Sequence, residues 1–438
     1  MKQIFRHFLF IALLLFVAQG VMGQATVPHK VKKKETLYGI TRDYGISLQQ
    51  LVEANPEMAS PDYKLKKGDI IRIPVVASNG PASSPTAGRA ISLGVMLPLH
   101  DYNGDGRRMV EYYRGVLMAC DSMKREGISV DVHAWNLPDD GNVNNVLQDP
   151  VAARCDVIIG PLYSKYMDAM SDFVSKHGIM LVVPFSINAP QLYNNPHIFQ
   201  VYQSVSSLNE STARRCTAWF KDYHPVIIDC QDVSTTKAEF TSQLRRQLDA
   251  DGMTYNVTSL QTADDAFSRA FADNKPNLVV LNTASSKHML AVFAKLKNLA
   301  AARPNVEISI FGYTDWMMYV EHQKVNFHRF NVYIPAPYYT NLGMPAAKRF
   351  EKKYKAAFQQ DMQQYMPRFG MTGFDHAVFF LRGLSKYGKT FDGAAGRFGY
   401  PPVQTPLKFE RIGSGGYQNR AFMFIHYKPD GDIETINY

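Results

Sequence analysis

Cysteine is scarce, four in 438 residues, and no Cys-x-x-Cys pair occurs; a disulfide-stapled scaffold is excluded. Twelve histidines include no His-x-His and no His-Glu-x-x-His, so a zinc site has no sequence support. After the first two dozen residues no apolar run approaches the roughly 20 residues of a membrane span. A large charge imbalance is also missing from most of the chain. The 48 Lys/Arg and 39 Asp/Glu leave a net +9, but residues 1–75 hold 11 basic against 6 acidic residues and the remainder 37 against 33. The larger part is thus nearly balanced, which weakens the case for a nucleic-acid partner. What is present, 46% hydrophobic and 20% charged residues, is a globular composition of two or three folded units.

Lys2 and Arg6 precede an unbroken apolar run over residues 8–18, followed by Val21-Met22-Gly23 and Gln24. A basic start, a short apolar stretch and a small-residue exit are the parts of a secretory signal peptide, expected over residues 1–23. No cysteine stands at the exit to carry a lipid. The expectation is an exported protein, periplasmic or cell-envelope associated, with no membrane span after signal cleavage.

Residues 29–75 read as strand–helix–helix–strand. Thr36 is a helix N-cap, with Leu37, Ile40, Thr41 and Tyr44 on one face; Ser47 caps a second helix that Asn55-Pro56 ends, and residues 70–74 form a closing strand. The order Val31, Lys34-Glu35-Thr36-Leu37, Ile40, Tyr44-Gly45-Ile46-Ser47, Leu51, Asn55-Pro56, Leu65, Gly68, Ile71, Ile73-Pro74 resembles a LysM module. That resemblance implies binding of N-acetylglucosamine polymers, mainly peptidoglycan or chitin, in a shallow groove. Glu35, Thr36 and Leu37 would line one wall, and Asn55, Pro56 and Leu65 the other. Lys34-Glu35 stands where the family usually has Gly-Asp.

Residues 76–90, rich in Pro, Gly, Ser and Ala, read as a flexible linker. From Ile91 short apolar strands (91–97, 130–135, 156–159, 180–183, 225–229, 278–281, 306–311) alternate with helices (108–125, 166–177, 208–220, 236–249, 285–299). The alternation predicts an α/β fold of parallel sheets covered on both faces, in two lobes because the segment is too long for one sheet.

This region resembles the type 1 periplasmic-binding-protein fold, in its amino-acid-receptor branch. Gly94-Val95-Met96-Leu97-Pro98-Leu99, residues 156–164 with Gly160-Pro161-Leu162-Tyr163-Ser164, Val182-Val183-Pro184-Phe185-Ser186, Ile198-Phe199-Gln200-Val201 and the tail from Phe422 carry the likeness. It implies one bilobal domain over 91–438, with lobe 1 near 91–203 and 340–395 and lobe 2 near 204–339 and 396–438. Ligands of such proteins lie between the lobes, at the carboxyl ends of strands. Carried over, Ser164 and Ser186 would hydrogen-bond a ligand, flanked by Tyr163 and Asn188, with Asp315 and Trp316 facing them. Two stretches depart from the pattern: Cys230-Gln231-Asp232 lacks the usual Tyr-Gly, and Leu281-Asn282-Thr283-Ala284 lacks an aromatic contact. A cleft that serves as a protein-docking scaffold is therefore as well supported as one that holds a ligand.

Catalytic constellations fail on inspection. Asp229-Cys230 lacks the helix start and paired His of a cysteine nucleophile. Asp101-x-Asn103-x-Asp105-Gly106 starts like a calcium loop, but Tyr112 holds the twelfth position, which needs Glu. Among Cys120, Cys155, Cys216 and Cys230, a Cys216–Cys230 disulfide and buried free thiols stay equally open. The sequence points to a non-catalytic, exported, peptidoglycan-binding protein without cofactor or metal. Its bilobal domain either binds an amino-acid-like small molecule or docks a cell-wall synthesis protein. The alternative is a wall-tethered solute receptor for amino acids or peptides.

Overall fold

The computed structural model describes residues 26–32, 35–44, 48–59, 63, 65–74, 89–394 and 401–438. The signal segment 1–23 and the linker as far as residue 88 lie outside the described residues. Two compact units emerge, one containing residues 26–74 and the other containing both large sheets.

In the first unit β1 (Thr26–Lys30) is followed by α1 (Leu37–Tyr44), α2 (Leu48–Ala54) and β2 (Ile70–Pro74), the order read from the sequence. β1 and β2 pair antiparallel, from Thr26↔Pro74 to Lys30↔Ile70. Ile71 and Ile73 alternate inward from β2 and meet Leu37, Ile40 and Leu51 from the helices, so the period-2 and period-3.6 apolar patterns converge on one small core.

The second unit begins with β3 (Ile91–Leu97), α3 (Gly104–Arg125), β4 (Val130–Asn136), α4 (Val143–Leu147), β5 (Val157–Ile159), α5 (Met167–His177), β6 (Met180–Val183) and β7 (Ile198–Gln200). It continues through α6 (Val205–Trp219), β8 (His224–Asp229), α7 (Ala238–Ala250), β9 (Asn256–Ser259), α8 (Asp264–Ser268), β10 (Asn277–Leu281), α9 (Ser286–Ala302), β11 (Ile308–Phe311), α10 (Val320–Arg329) and β12 (Val332–Ala336). Then come α11 (Pro345–Phe358), α12 (Phe369–Tyr387), β13 (Phe409–Arg411), β14 (Tyr417–Asn419), β15 (Met423–Tyr427) and β16 (Ile433–Asn437).

The strands form two seven-stranded sheets, ordered β13-β14-β7-β6-β5-β3-β4 and β16-β15-β12-β11-β10-β8-β9. Both are parallel apart from the antiparallel contributions of β13 in the first and of β15 and β16 in the second. The expected α/β fold with two parallel-sheet lobes is present. One assignment needs correction: residues 409–419, placed with the second lobe from the sequence, complete the first sheet instead. β14 pairs parallel with β7, where Tyr417 stacks on Phe199 at 4.6 Å and Phe409 joins the same aromatic core.

All four cysteines are buried free thiols, which decides between the two options the sequence left open. Burial pushes the Cys120 and Cys230 thiols up to about 12 and Cys155 to about 11, so they behave as small apolar core residues. The calcium-like loop is consumed locally: Asn103 Oδ1 accepts from the Gly106 amide at 2.8 Å as the cap of α3, and Asp105 pairs with Arg108 at 2.6 Å.

Between α3 and α12, His376 is fully buried, with Nδ1 2.8 Å from the Tyr112 hydroxyl and Nε2 without a partner. Burial holds the imidazole down to about 3, against an ordinary 6.5. The neutral form is thus favoured in the fold, and its contribution is complete above pH 6.5 and declines as pH falls toward 3. From this group the expected loss is at most about 1.4 kcal/mol per pH unit below 6.5. Thermal unfolding of the protein between pH 7 and 4.5 should show that slope, and His376→Phe should flatten it; parallel slopes would remove His376 as the source.

Candidate functional site

The LysM resemblance places the candidate glycan contacts on the loop entering α1 and the loop leaving α2. Thr36 and Pro56 are exposed there and Leu65 is half-buried, so these three can face a sugar. Leu37 and Asn55 do not. Leu37 belongs to the small core. Asn55 is fully buried: its Nδ2 donates to the carbonyls of Leu51 and Arg72 and its Oδ1 accepts from the Arg72 amide, each at 2.7 Å. Its amide therefore pins α2 to β2 rather than reading a ligand. Glu35 turns toward its own fold, accepting from the Lys32 amide at 2.7 Å and meeting His29 Nε2 at 2.9 Å. The Lys32 amide and His29 hold its carboxyl below the usual range.

In the second unit the loops after parallel strands gather at the carboxyl ends of each sheet, where open α/β folds place their sites. Tyr163 and Ser164 follow β5, and Ser186 and Asn188 follow the adjacent β6, so the four stand on loops after neighbouring strands. Tyr163 donates to Asp105 Oδ2 at 3.2 Å; burial, with Asp105 beside it, raises its hydroxyl to about 12. Ser164 is exposed at the start of a single helical turn. Ser186 is occupied by its own loop, accepting from the Asn188 amide at 3.1 Å while its hydroxyl points to the Asn188 carbonyl at 3.2 Å.

Asp315, after β11, forms an ion pair with Lys237 at 2.7 Å. Trp316 is corrected outright. It is fully buried in the second-lobe core, stacked near Phe327 at 6.0 Å and edge-on to Phe293 and Tyr313, and offers no face to a cleft. The spacing after a strand is right, but the chain turns inward, and the largest apolar side chain goes with it.

Sequence reasoning missed the aromatic residues between these loops. Phe185 packs against Tyr112 (5.4 Å), Phe369 (5.6 Å) and Tyr202 (5.9 Å), and Tyr202 after β7 meets Tyr338 after β12 edge-on at 6.4 Å. Aromatic rings thus cluster behind the first-lobe loops, and Tyr202–Tyr338 brings together the chain after β7 of one sheet and after β12 of the other. The two stretches that depart from the family pattern are fastened to each other. Asn282 accepts from the Cys230 amide at 2.9 Å and donates to Asp229 at 2.8 Å, while Asp232 accepts from Ser234 and Thr283 hydroxyls at 2.6 and 2.5 Å. Those hydroxyls hold the Asp232 carboxyl down to about 2. Tyr102, Ile187, Val233 and Met318 are exposed and follow β3, β6, β8 and β11, so apolar side chains stand in solvent after strands of both sheets.

Residues 143–399, more than half of the chain, match the family described as periplasmic binding protein. The chain belongs to that family. Residues 29–74 match the LysM domain, so the protein carries a LysM module ahead of a type 1 periplasmic-binding-protein fold. Among solved structures, a putative branched-chain amino acid ABC transporter protein from Rhodospirillum rubrum shares 15% identity with a TM-score of 0.53, covering 80% of this chain and 100% of that one. Full-length LpoA from Haemophilus influenzae gives 14% identity and a TM-score of 0.49, with 80% of this chain and 59% of that one covered. No curated protein matches the sequence. Among the described residues no helix is long and apolar enough to cross a membrane, and no group of three or more His, Cys, Asp or Glu is placed to hold a metal ion.

Proposed function

We propose that the protein is an exported, non-catalytic cell-envelope protein that its LysM module holds on N-acetylglucosamine-containing peptidoglycan. Its bilobal domain docks an envelope protein at the mouth of the cleft. The observation that carries the docking reading is at the carboxyl ends of the strands: Phe185 packs on Tyr202, Ser186 bonds within its loop, and apolar Tyr102, Ile187, Val233 and Met318 stand exposed on loops there. Exposed apolar side chains on such loops suit a protein surface better than a small polar solute. The neutral set of Thr36, Pro56 and Leu65 suits a sugar ring, with apolar faces on the ring and backbone groups for the acetamide.

The second reading, a wall-tethered receptor for amino acids or peptides, draws support from exposed Ser164 beside Tyr163 at the carboxyl end of β5. Sedimentation with insoluble peptidoglycan tests the anchoring: the full chain is retained, and the chain lacking residues 26–74 stays in solution. Pro56→Asp in the full chain should lower retention several-fold. Equal retention of all three would overturn the anchoring reading. Thermal unfolding with free amino acids separates the two readings of the bilobal domain. Docking predicts shifts below about 1 °C, whereas a rise of several degrees that Ser164→Ala abolishes would establish the receptor.

A further inference from the structure

Away from the cleft, α6 and the chain on either side of β13–β14 line an open surface pocket of about 170 Å³. Among its side chains, the charged lining is Arg214, Arg215, Lys408 and Arg420 with one carboxylate, that of Glu410. That carboxylate is loosely held, 3.9 Å from Lys408, and Arg214 reaches only Glu210, also at 3.9 Å. Arg215 lies over the Tyr438 ring at 5.0 Å and has no carboxylate partner among the described residues. Arg420 donates to the Ser207 hydroxyl rather than to an acid. Tyr438, in the same lining, has a buried hydroxyl with no hydrogen-bond partner among the described residues.

The cations are held by the fold. The Arg420 amide donates to the Lys408 carbonyl at 2.8 Å, and the Lys408 amide to Asn419 Oδ1 at 2.8 Å, which fixes both on the β13–β14 corner of the first sheet. Arg214 and Arg215 project from α6, whose Ala213 and Cys216 pack into the core of the second lobe, and Tyr438 follows β16 of the second sheet. Four cations gathered in a concavity repel one another and create a strong positive potential until an anion enters. Guanidinium forks match the oxygens of phosphate. The volume is below the ~300 Å³ at which sites for drug-sized ligands begin, so the pocket is sized for a small oxyanion or for the phosphate end of an ester.

We propose that this pocket binds a phosphate group, with Arg215 and Arg420 as its principal donors and Arg214 and Lys408 completing the neutralisation. Because its walls come from both sheets, an occupied site ties the two lobes together at their crossing. Free phosphate and a phosphate ester on an envelope sugar share this chemistry.

The test is thermal unfolding of the full-length protein in inorganic phosphate, in N-acetylglucosamine 1-phosphate, and in sodium chloride of equal ionic strength. A rise of about 2 °C or more in either phosphate over chloride is expected at millimolar ligand. Arg215→Gln and Lys408→Gln, both at exposed positions, should each unfold normally in chloride and lose most of that rise. A larger gain from the sugar phosphate assigns the site to an ester, and equal gains assign it to free phosphate. Equal stability in phosphate and chloride, or a phosphate gain undiminished in both variants, would overturn the proposal.

Discussion

Replacing Gly115 or Gly373 by valine is expected to destabilise the bilobal unit by about 3 kcal/mol or more. α3 and α12 cross with these glycines in the contact. A Cβ on Gly115 would overlap the Gly370 carbonyl oxygen, and one on Gly373 would overlap the Tyr112 carbonyl oxygen. Both obstacles are helix backbone, so no rotamer change can relieve them and the helices must separate. Separation would break the Tyr112–His376 hydrogen bond and the two backbone amides, of Gln363 (2.5 Å) and Gly370 (3.2 Å), that bond buried Glu111. It would also open the shared core of Met109, Val116, Ala377, Phe380 and Leu384. The loss should appear as a drop on the order of 10 °C in the unfolding midpoint followed by circular dichroism. A valine variant within a degree or two of the parent would show that the helices slide apart freely.

The same helix pair shows why the sequence disclosed some elements and hid others. α3 announces itself by its apolar face, although the sequence begins it only at residue 108 and its Asn103 cap is hidden in the calcium-like loop. α12 does not, because 15 of its 19 residues are buried, and a helix apolar on nearly every side has no polar stripe to reveal its period. β12 is disguised by Pro335, which argues against a central strand. It is tolerated because pairing to β11 covers only Val332 and Tyr333, leaving Pro335 beyond that neighbour and opposite Phe424 of β15 alone. At the candidate site, sequence position located the right loops but not the direction of their side chains. Asn55 and Trp316 stand where the families place ligand contacts, yet one saturates its amide on backbone and the other completes a core. The departures at Cys230–Asp232 and Asn282–Thr283 were legible as departures; that they bond to each other needed the parallel pairing of β8 with β10.

Asp375→Ala should be the most damaging single change at the joint between the lobes. Asp375 is 1% exposed, and its carboxylate accepts from three successive amides, those of Val403, Gln404 and Thr405, each at 2.8 Å. The segment so held is gripped from both sides. Gln404 exchanges hydrogen bonds with the Arg368 backbone and donates to the Thr372 hydroxyl of α12, while the Tyr339 amide and the Thr340 hydroxyl, after β12 of the second sheet, donate to the Gln404 and Val403 carbonyls. Alanine would leave three amides without their acceptor in a dry setting, at a combined cost of about 3–5 kcal/mol. Asparagine should recover little. It keeps one carbonyl oxygen as an acceptor but turns an NH2 donor toward amides that also donate, so it exchanges an attraction for a repulsion. Hydrogen exchange separates this local effect from general weakening: the 403–405 amides, protected in the parent, should exchange far faster in Asp375→Asn, while the β10 amides of the second sheet keep their protection. Protected 403–405 amides in a fully stable Asp375→Asn protein would mean that this carboxylate does not hold the joint.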